Sequence, residues 1–319
     1  MRTPDPLHLP DHLRSTDPDS QREAILNLAG QADWVSLSWP DFLEALIALG
    51  RTDITLSRLT EGHVDALRIL HQAGAEPEAG ALYGVWASRS GGTGLSARPS
   101  ASGWHLSGRL MFASGAGVLD RALVTAWPDD ETHVLLDARV RDWPFDTTQW
   151  HTRAMEFSRS HRVQLDQEVE ARQVGEENFY LDRWGFFPGG VGVAAVWAGG
   201  AARVLDLLGD QDQGAKRVRF GRAQADLAAA LAVVRQAGVA LEERPADPQR
   251  LATLARAGVA AAVRRVLDEA RAIAGPAGLA FDEDLTRAVD DLALYVAQQN
   301  ADSDAHYLGS PGPGAGEES

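Results

Sequence analysis

The spacing of apolar residues changes twice along this chain, and no other feature restricts the fold so much. In DFLEALIALG (41–50) and TLSRLTEGHVDALRILHQA (55–73) apolar residues recur in steps of three and four. Between 82 and 181 the step falls to two, as in Trp104-His105-Leu106-Ser107. From Pro188 onward it returns to three and four in Ala-, Leu- and Val-rich sequence. Helices present side chains with a period near 3.6 and strands with a period of 2. The chain is therefore expected to be helical, then β-rich, then helical again.

Residues 1–18, rich in Pro and Asp, are expected to be irregular. Asp19 or Ser20 is expected to cap a short helix through Leu28, Pro40-Asp41 to open a second ended by Gly50, and a third to end at Gly74. Strands are expected at 82–88, 103–113, 120–127, 132–137 and 160–169, with turns at Ser90-Gly91-Gly92, Ser102-Gly103 and Pro128-Asp129-Asp130. Helices follow at about 188–208, 216–243, 248–274 and 283–307, broken at 210–214, 244–248 and 275–278. Their inner stripes are Leu227, Leu231, Val234, Gly238 and Leu241; then Leu251, Ala255, Val259, Ala262, Val266 and Ile273; then Leu285, Val289, Leu292 and Val296. Such stripes fit an antiparallel bundle. The expected divisions are a short N-terminal helical region (1–80), a β-domain (81–186), a four-helix bundle (187–309) and a disordered Gly/Pro-rich tail (310–319).

At 319 residues the chain can bury a substantial core. Its formal net charge of −15 disfavours nucleic acid and anionic membrane surfaces as partners. With no cysteine there can be no disulfide, thiolate metal site or Cys nucleophile. No run reaches the ~18 apolar residues of a membrane span, and the N-terminus lacks an apolar signal core. A cytoplasmic protein is expected.

Residues 103–127, GWHLSGRLMFASGAGVLDRALVTAW, read as two strands joined through a small-residue elbow, Phe112-Ala113-Ser114-Gly115-Ala116-Gly117. An elbow of this kind leaves backbone accessible to a flat ligand. The stretch resembles the β-domain of the acyl-CoA dehydrogenase superfamily, where G-x-x-L-x-G-x-K-x-W-I-T-N-G leads into a flavin-contacting loop. Phe112 takes the place of the aromatic, Ser114 that of the Thr, and Gly115-Ala116 replaces Asn-Gly. The loop from Trp86 through Ser88 to Gly94 sits where that family carries T-E-P-x-x-G-S-D. WHTRAMEFSRSHRVQLDQEV resembles its G-M-R-x-S-x-S-x-x-V-x-F-x-x-V, with Ala154 for Gly and Glu156 for Arg, while Ser158, Ser160 and Val163 fit. LTEGHVDALRILHQAG is similar to its helix before the β-domain.

The resemblance, covering about residues 41–309, implies an α+β fold with N-terminal helices, a central β-barrel-like domain and a C-terminal four-helix bundle. It implies FAD held by Trp86, Ser88, Phe112, Ser114 and Gly115, and a homodimer or homotetramer. Arg217, in Arg217-Val218-Arg219-Phe220-Gly221, is similar to the R-x-x-F-G arginine that meets the FAD pyrophosphate of a neighbouring subunit; Arg217 and Arg219 read equally as solvated helix-start positions. The family's catalytic Glu, eight residues after the Asp of an R-D motif, falls on Gln299 when counted from Asp291. An amide cannot take the α-proton, and losing a general base typically costs about 10²- to 10⁴-fold in rate. No replacement base is evident; Glu156 and Asp182 read as surface charges.

Two further patterns have plainer readings. Gly190-Val191-Gly192-Val193-Ala194-Ala195 matches G-x-G-x-x-A, but no strand precedes it, so it reads as the opening of a tightly packed helix. His63 and His71 have no third ligand nearby and read as packed or partly exposed imidazoles. The expected function is that of an FAD-dependent oxidoreductase acting on an acyl thioester such as acyl-CoA or on a related small molecule. The alternatives are a flavin monooxygenase of the same fold, which needs no such Glu, and a scaffold that has lost its flavin.

Overall fold

The computed structural model describes residues 2–14, 16–89, 92–101, 103–211 and 214–310. The turn expectations at Ser90-Gly91 and Ser102, part of the break at 210–214, and residues 311–319 of the tail lie outside the described residues. The chain divides into two compact units, one of Met1–Pro6, Ser38–Ile54 and Phe187–Ser319, the other of Leu7–Leu37 and Thr55–Phe186.

The second unit is a sheet with helices. Helix α1 (Pro18–Ala29) is capped by Asp17, two positions before the expected start, because its carboxylate accepts from the N–H groups of Asp19 and Ser20 with Pro18 at N1. In the other unit, α2 (Trp39–Thr52) is capped by Ser38. Helix α3 (Ile54–Gln72) ends before Gly74, whose φ of +64° suits glycine.

Among the described residues eight strands follow: β1 (Tyr83–Trp86), β2 (Gly94–Ser100), β3 (Gly103–Ala113), β4 (Arg121–Trp127), β5 (Val134–Arg139), β6 (Phe145–Asp146), β7 (His161–Val169) and β8 (Ala171–Gln173). They form one sheet in the order β6-β7-β3-β2-β4-β5-β8, with β1 also paired to β4. β1 and β2 both run parallel to β4, at its start and end respectively. β2, β6 and β8 were not expected. β2 carries Arg98 and Pro99, and the other two span only two and three residues. The strands flanking the elbow are not hydrogen-bonded to each other: β3 pairs with β2 and β7, and β4 with β1, β2 and β5. The elbow is thus a crossover within the sheet. Ala66, Ile69 and Leu70 of α3 pack with Tyr83, Leu123, Leu135 and Val174 as the core under it.

An ion cluster around the buried Asp137 ties strands of this sheet together. Asp137 of β5 accepts from Arg121 Nε at 2.6 Å and Arg172 Nη2 at 3.0 Å, and Tyr83 Oη donates to it at 3.3 Å.

The first unit is helical: α2, α5 (Phe186–Leu208), α6 (Gly214–Glu242), α7 (Pro248–Phe281), α8 (Glu283–Val296) and α9 (Ala301–Gly309), preceded by the four-residue α4 (Phe179–Asp182) in the sheet unit. The expected stripes of α6 and α8 are buried, as are those of α7 apart from the partly exposed Leu251. Helix α7 kinks at Gly275, φ +61° and ψ −174°, followed by Pro276. The single helix expected at 283–307 is two, because Asn300 caps α9 by accepting from Ser303 N–H.

Gly50, expected to end α2, lies inside it. A Cβ there would stand 2.2 Å from the Val196 carbonyl of α5, and one on Gly199 would stand 2.1 Å from the Ile47 carbonyl. The two helices cross backbone to backbone. Helix α5 is long and apolar enough to cross a membrane by length and composition, contrary to the sequence expectation, but 72% of its apolar window is buried inside the structure. The G-x-G-x-x-A residues lie within this helix, where a Cβ on Gly192 would touch Leu46 at 3.0 Å.

Candidate functional site

The elbow is built on a β-bulge. Leu110 pairs with Val163 and Ala113 with His161, so β3 uses one residue more than β7 over the same stretch. The extra length turns Phe112 into the left-handed region, φ +56°. For a bulky residue that conformation costs about 1–3 kcal/mol and persists only where the surroundings enforce it. Phe112 is also 59% exposed, with its ring edge-on to Trp150 at 6.3 Å. The next four residues, Ala113 to Ala116, are buried. A strained aromatic held out to solvent beside a buried run of small residues contributes little to a core.

Residues 155–160 complete the elbow. Met155 (φ +53°) and Arg159 (φ +47°) bracket a 3-10 turn, Glu156–Ser158. The Ser158 carbonyl accepts from Gly115 N–H at 2.9 Å and the Arg159 carbonyl from Ala116 N–H at 3.2 Å. These elbow amides are therefore committed within the protein. Arg159 is held in turn by Gln21 Oε1 at 2.6 Å and the Thr16 carbonyl at 2.9 Å.

Three serine hydroxyls form a chain whose direction is fixed. Ser158 Oγ donates its one hydrogen to the Met155 carbonyl at 2.6 Å. Ser160 must therefore donate to Ser158 (2.7 Å), and Ser114 to Ser160 (2.8 Å). Ser114 is left with acceptor capacity alone.

Trp86 is buried, donates from Nε1 to the Ser114 carbonyl at 2.9 Å, and packs 6.0 Å from Trp143. Ser88 is exposed in the segment after β1. A Cβ on Gly115, φ +79°, would lie 2.7 Å from Leu119 Cγ, so no larger residue fits that point. The structure thus joins Trp86, Phe112, Ser114 and Gly115 around one elbow. Sequence reasoning missed the bulge, Trp150 and the hydroxyl chain; the S-x-S spacing of Ser158 and Ser160 was the available signal for the last.

In the helical unit, Gln299 is 4% exposed. Its Oε1 accepts from Arg264 Nη1 at 2.8 Å and its Nε2 donates to Asp304 at 2.7 Å. Both ends of the amide have protein partners, so Gln299 ties α7 to α9. Arg217 is exposed near the start of α6, while Arg219 pairs with Glu269 at 2.9 Å. Glu156 and Asp182 are exposed. His63 is buried, and its Nδ1 accepts from Tyr83 N–H at 3.1 Å. Burial, then Arg22, lowers its pKa to about 4.

Several solved structures with this architecture are described with a bound flavin or as a flavoprotein. Butyryl-CoA dehydrogenase from Megasphaera elsdenii aligns over 92% of this chain and 89% of its own, at 17% identity and a TM-score of 0.75. XiaF from a Streptomyces species, in complex with FADH2 and glycerol, aligns over 92% and 87%, at 17% identity and 0.73. The dibenzothiophene monooxygenase TdsC from Paenibacillus sp. A11-2 aligns over 92% and 88%, at 18% identity and 0.70. No family model matches the sequence, and no curated protein matches it. The chain has the acyl-CoA dehydrogenase fold: N-terminal helices, a central sheet and C-terminal helices.

Proposed function

We propose that this chain is a flavin-dependent oxidoreductase whose cofactor, FAD, lies against the 112–115 elbow. The observation that carries the reading is Phe112, a bulky residue held at positive φ and exposed beside a buried small-residue run. The residues present fit a flat aromatic group. Phe112 offers a ring face or edge, Ser114 an acceptor oxygen, Gly115 a point with no room for a Cβ, Trp86 a buried brace behind Ser114, and Ser88 an exposed hydroxyl on the nearby segment. A bound flavin supplies two-electron or oxygen chemistry, and the protein supplies orientation and electrostatics. Arg217, exposed on α6, is available to a pyrophosphate across a homodimer or homotetramer contact, the assembly that belongs to this reading. The cytoplasm is the compartment proposed with it.

The substrate proposed is an acyl thioester or related small molecule. A second reading, oxygen-dependent monooxygenation, is favoured by Gln299. Its amide is held by Arg264 and Asp304 and cannot accept a proton, so dehydrogenation through that position is disfavoured. XiaF and TdsC, similar in fold, carry flavin or monooxygenase descriptions.

One absorbance spectrum of the purified protein, before and after adding FAD, tests the reading. Flavin bands that shift on binding are expected. Folded protein that stays colourless and leaves the spectrum of added FAD unchanged would leave a scaffold role. Product analysis with reduced flavin and oxygen, against anaerobic desaturation of acyl-CoA, separates the two reactions.

A further inference from the structure

Helix α6 is apolar on two sides. Its inner stripe of Leu227, Leu231, Val234 and Leu241 is buried, while Val218 and Val239 on the outer side are 57% and 50% exposed. Between those two valines the outer residues recur at alternating steps of four and three, through Arg222, Ala225, Ala229, Ala232 and Gln236. All of these are exposed except the half-buried Ala232. A spacing that averages about 3.5 residues is the seam of a left-handed coiled coil. Helix α6 thus carries one stripe for its own bundle and a second seam that faces solvent.

The outer seam reads the same from both ends. About Ala229, Val218 balances Val239, Ala225 balances Ala232, and Arg222 balances Gln236. In a two-fold contact, residue i of one copy meets j of the other, and j meets i. A helix of this pattern can therefore lie antiparallel on a copy of itself with Ala229 at the axis. Alanines there let the two helix axes approach to about 8 Å.

Charge selects the same orientation. The first turn of α6 holds no acid and its last turn no base. Lys216 stands near the start, and Glu242 and Glu243 stand at the end. The dipole of the helix favours the reverse arrangement. An antiparallel copy sets Lys216 beside Glu242 and each dipole end beside its opposite; a parallel copy sets like against like. A groove adds to the fit. An open cavity of about 440 Å³ between α6 and α7 is lined by two seam residues, Arg222 and Ala225, with Asp226, Arg265 and Glu269. Asp226 accepts from Arg265 at 2.7 Å and Glu269 from Arg219 at 2.9 Å, so the groove presents donors and acceptors together. An amide side chain has both, and antiparallel pairing brings Gln236 of the second copy to Arg222.

We propose that the outer face of α6 is a homodimer interface on which a second copy of this chain packs antiparallel. Ala229 meets Ala229, Val218 meets Val239, and Gln236 enters the groove at Arg222. This deepens the assembly part of the reading above by giving it a face and a register, and it rests on α6 rather than on flavin.

The chain has no cysteine, so introduced thiols report the register in the full-length protein. Ala229→Cys should form a disulfide between copies under mild oxidation. Val218→Cys and Val239→Cys should each fail to do so alone, because residue 218 and its copy would stand about 33 Å apart at 1.5 Å per residue, far beyond disulfide reach. Mixed and left to exchange subunits, those two variants should cross-link. Ala229→Glu, at an exposed position, sets two like charges at the axis and should weaken the dimer by about tenfold or more in sedimentation equilibrium, with circular dichroism unchanged. A monomer at every concentration, a Val218→Cys disulfide to itself, no Ala229→Cys disulfide, or an unmoved dissociation constant in Ala229→Glu overturns the proposal. The flavin spectrum is a separate readout: a protein that binds FAD yet fails these tests loses the interface and keeps the cofactor.

Discussion

Trp86 Nε1 donates to the Ser114 carbonyl at 2.9 Å, a bond between residues 28 positions apart that braces the back of the elbow. Trp86→Phe keeps the ring and removes the donor, leaving a buried acceptor unpaired. It should cost about 1–3 kcal/mol in urea unfolding and weaken FAD binding. Unchanged stability and affinity would mean the bond does not hold the elbow.

The serine chain makes a prediction about redox state. Ser114 now spends its hydrogen on Ser160, so it favours a ligand that donates to it. Ser160→Ala frees that hydrogen for a ligand acceptor. For flavin bound at the proposed site, a reduced ring nitrogen donates where the oxidised one accepts. The variant should lower the midpoint potential by about 10–30 mV, the equivalent of one ordinary hydrogen bond. Potentiometry that finds no change, or a rise, contradicts the stated polarity.

Gln299→Glu restores the carboxylate that the resemblance expects, but the structure does not offer it a substrate. The new charge meets Asp304 on one side and Arg264 on the other. The variant should lose stability at neutral pH, recover part of it in acid, and gain no acyl-CoA desaturation. A gain of about tenfold or more, a small part of what a general base supplies, would show that position 299 does reach a substrate.

His63 gives the fold a pH dependence. Its pKa is about 4 in the folded protein and 6.5 when unperturbed. Between these values the unfolded chain binds more protons, so stability rises with pH across the window, by about 3 kcal/mol in all. His63→Gln should flatten thermal-melt midpoints between pH 4 and 6.5 relative to the parent protein. Parallel curves would place the dependence on other groups.

Asp137→Asn removes the buried acid at the centre of the ion cluster. Arg121 keeps Glu78 at 2.8 Å but loses its 2.6 Å partner, and Arg172 loses its own. A loss of about 1–3 kcal/mol in chemical denaturation is expected, the effect of weakening charge-assisted hydrogen bonds while Arg121 keeps Glu78 and Arg172 stays half exposed.

The long helices were legible because their inner residues repeat in steps of three and four, as Leu285, Val289, Leu292 and Val296 do. The longer strands were legible by alternation. What alternation could not show was pairing: β3 and β4 follow each other in sequence, yet neither bonds to the other. Gly50 and Gly275 look alike locally. One lies in a helix crossing where a Cβ would meet Val196, and the other sits at a kink with open space around it. Only the partner helix distinguishes them. At the elbow the residue types were readable, but the positive φ of Phe112 follows from a bulge set by β7. Gln299 could be counted to, whereas its two partners come from α7 and from α9, which sequence reading had merged with α8.

The crossing of α2 and α5 makes one region intolerant of drift. Gly50 and Gly199 stand so close to the facing carbonyls that a single methyl at either would overlap an oxygen. In a saturation library these two positions should return glycine alone, while an exposed position such as Leu254 accepts many replacements. Among distant homologues, this pair would then be a better marker of shared ancestry than any residue at the elbow.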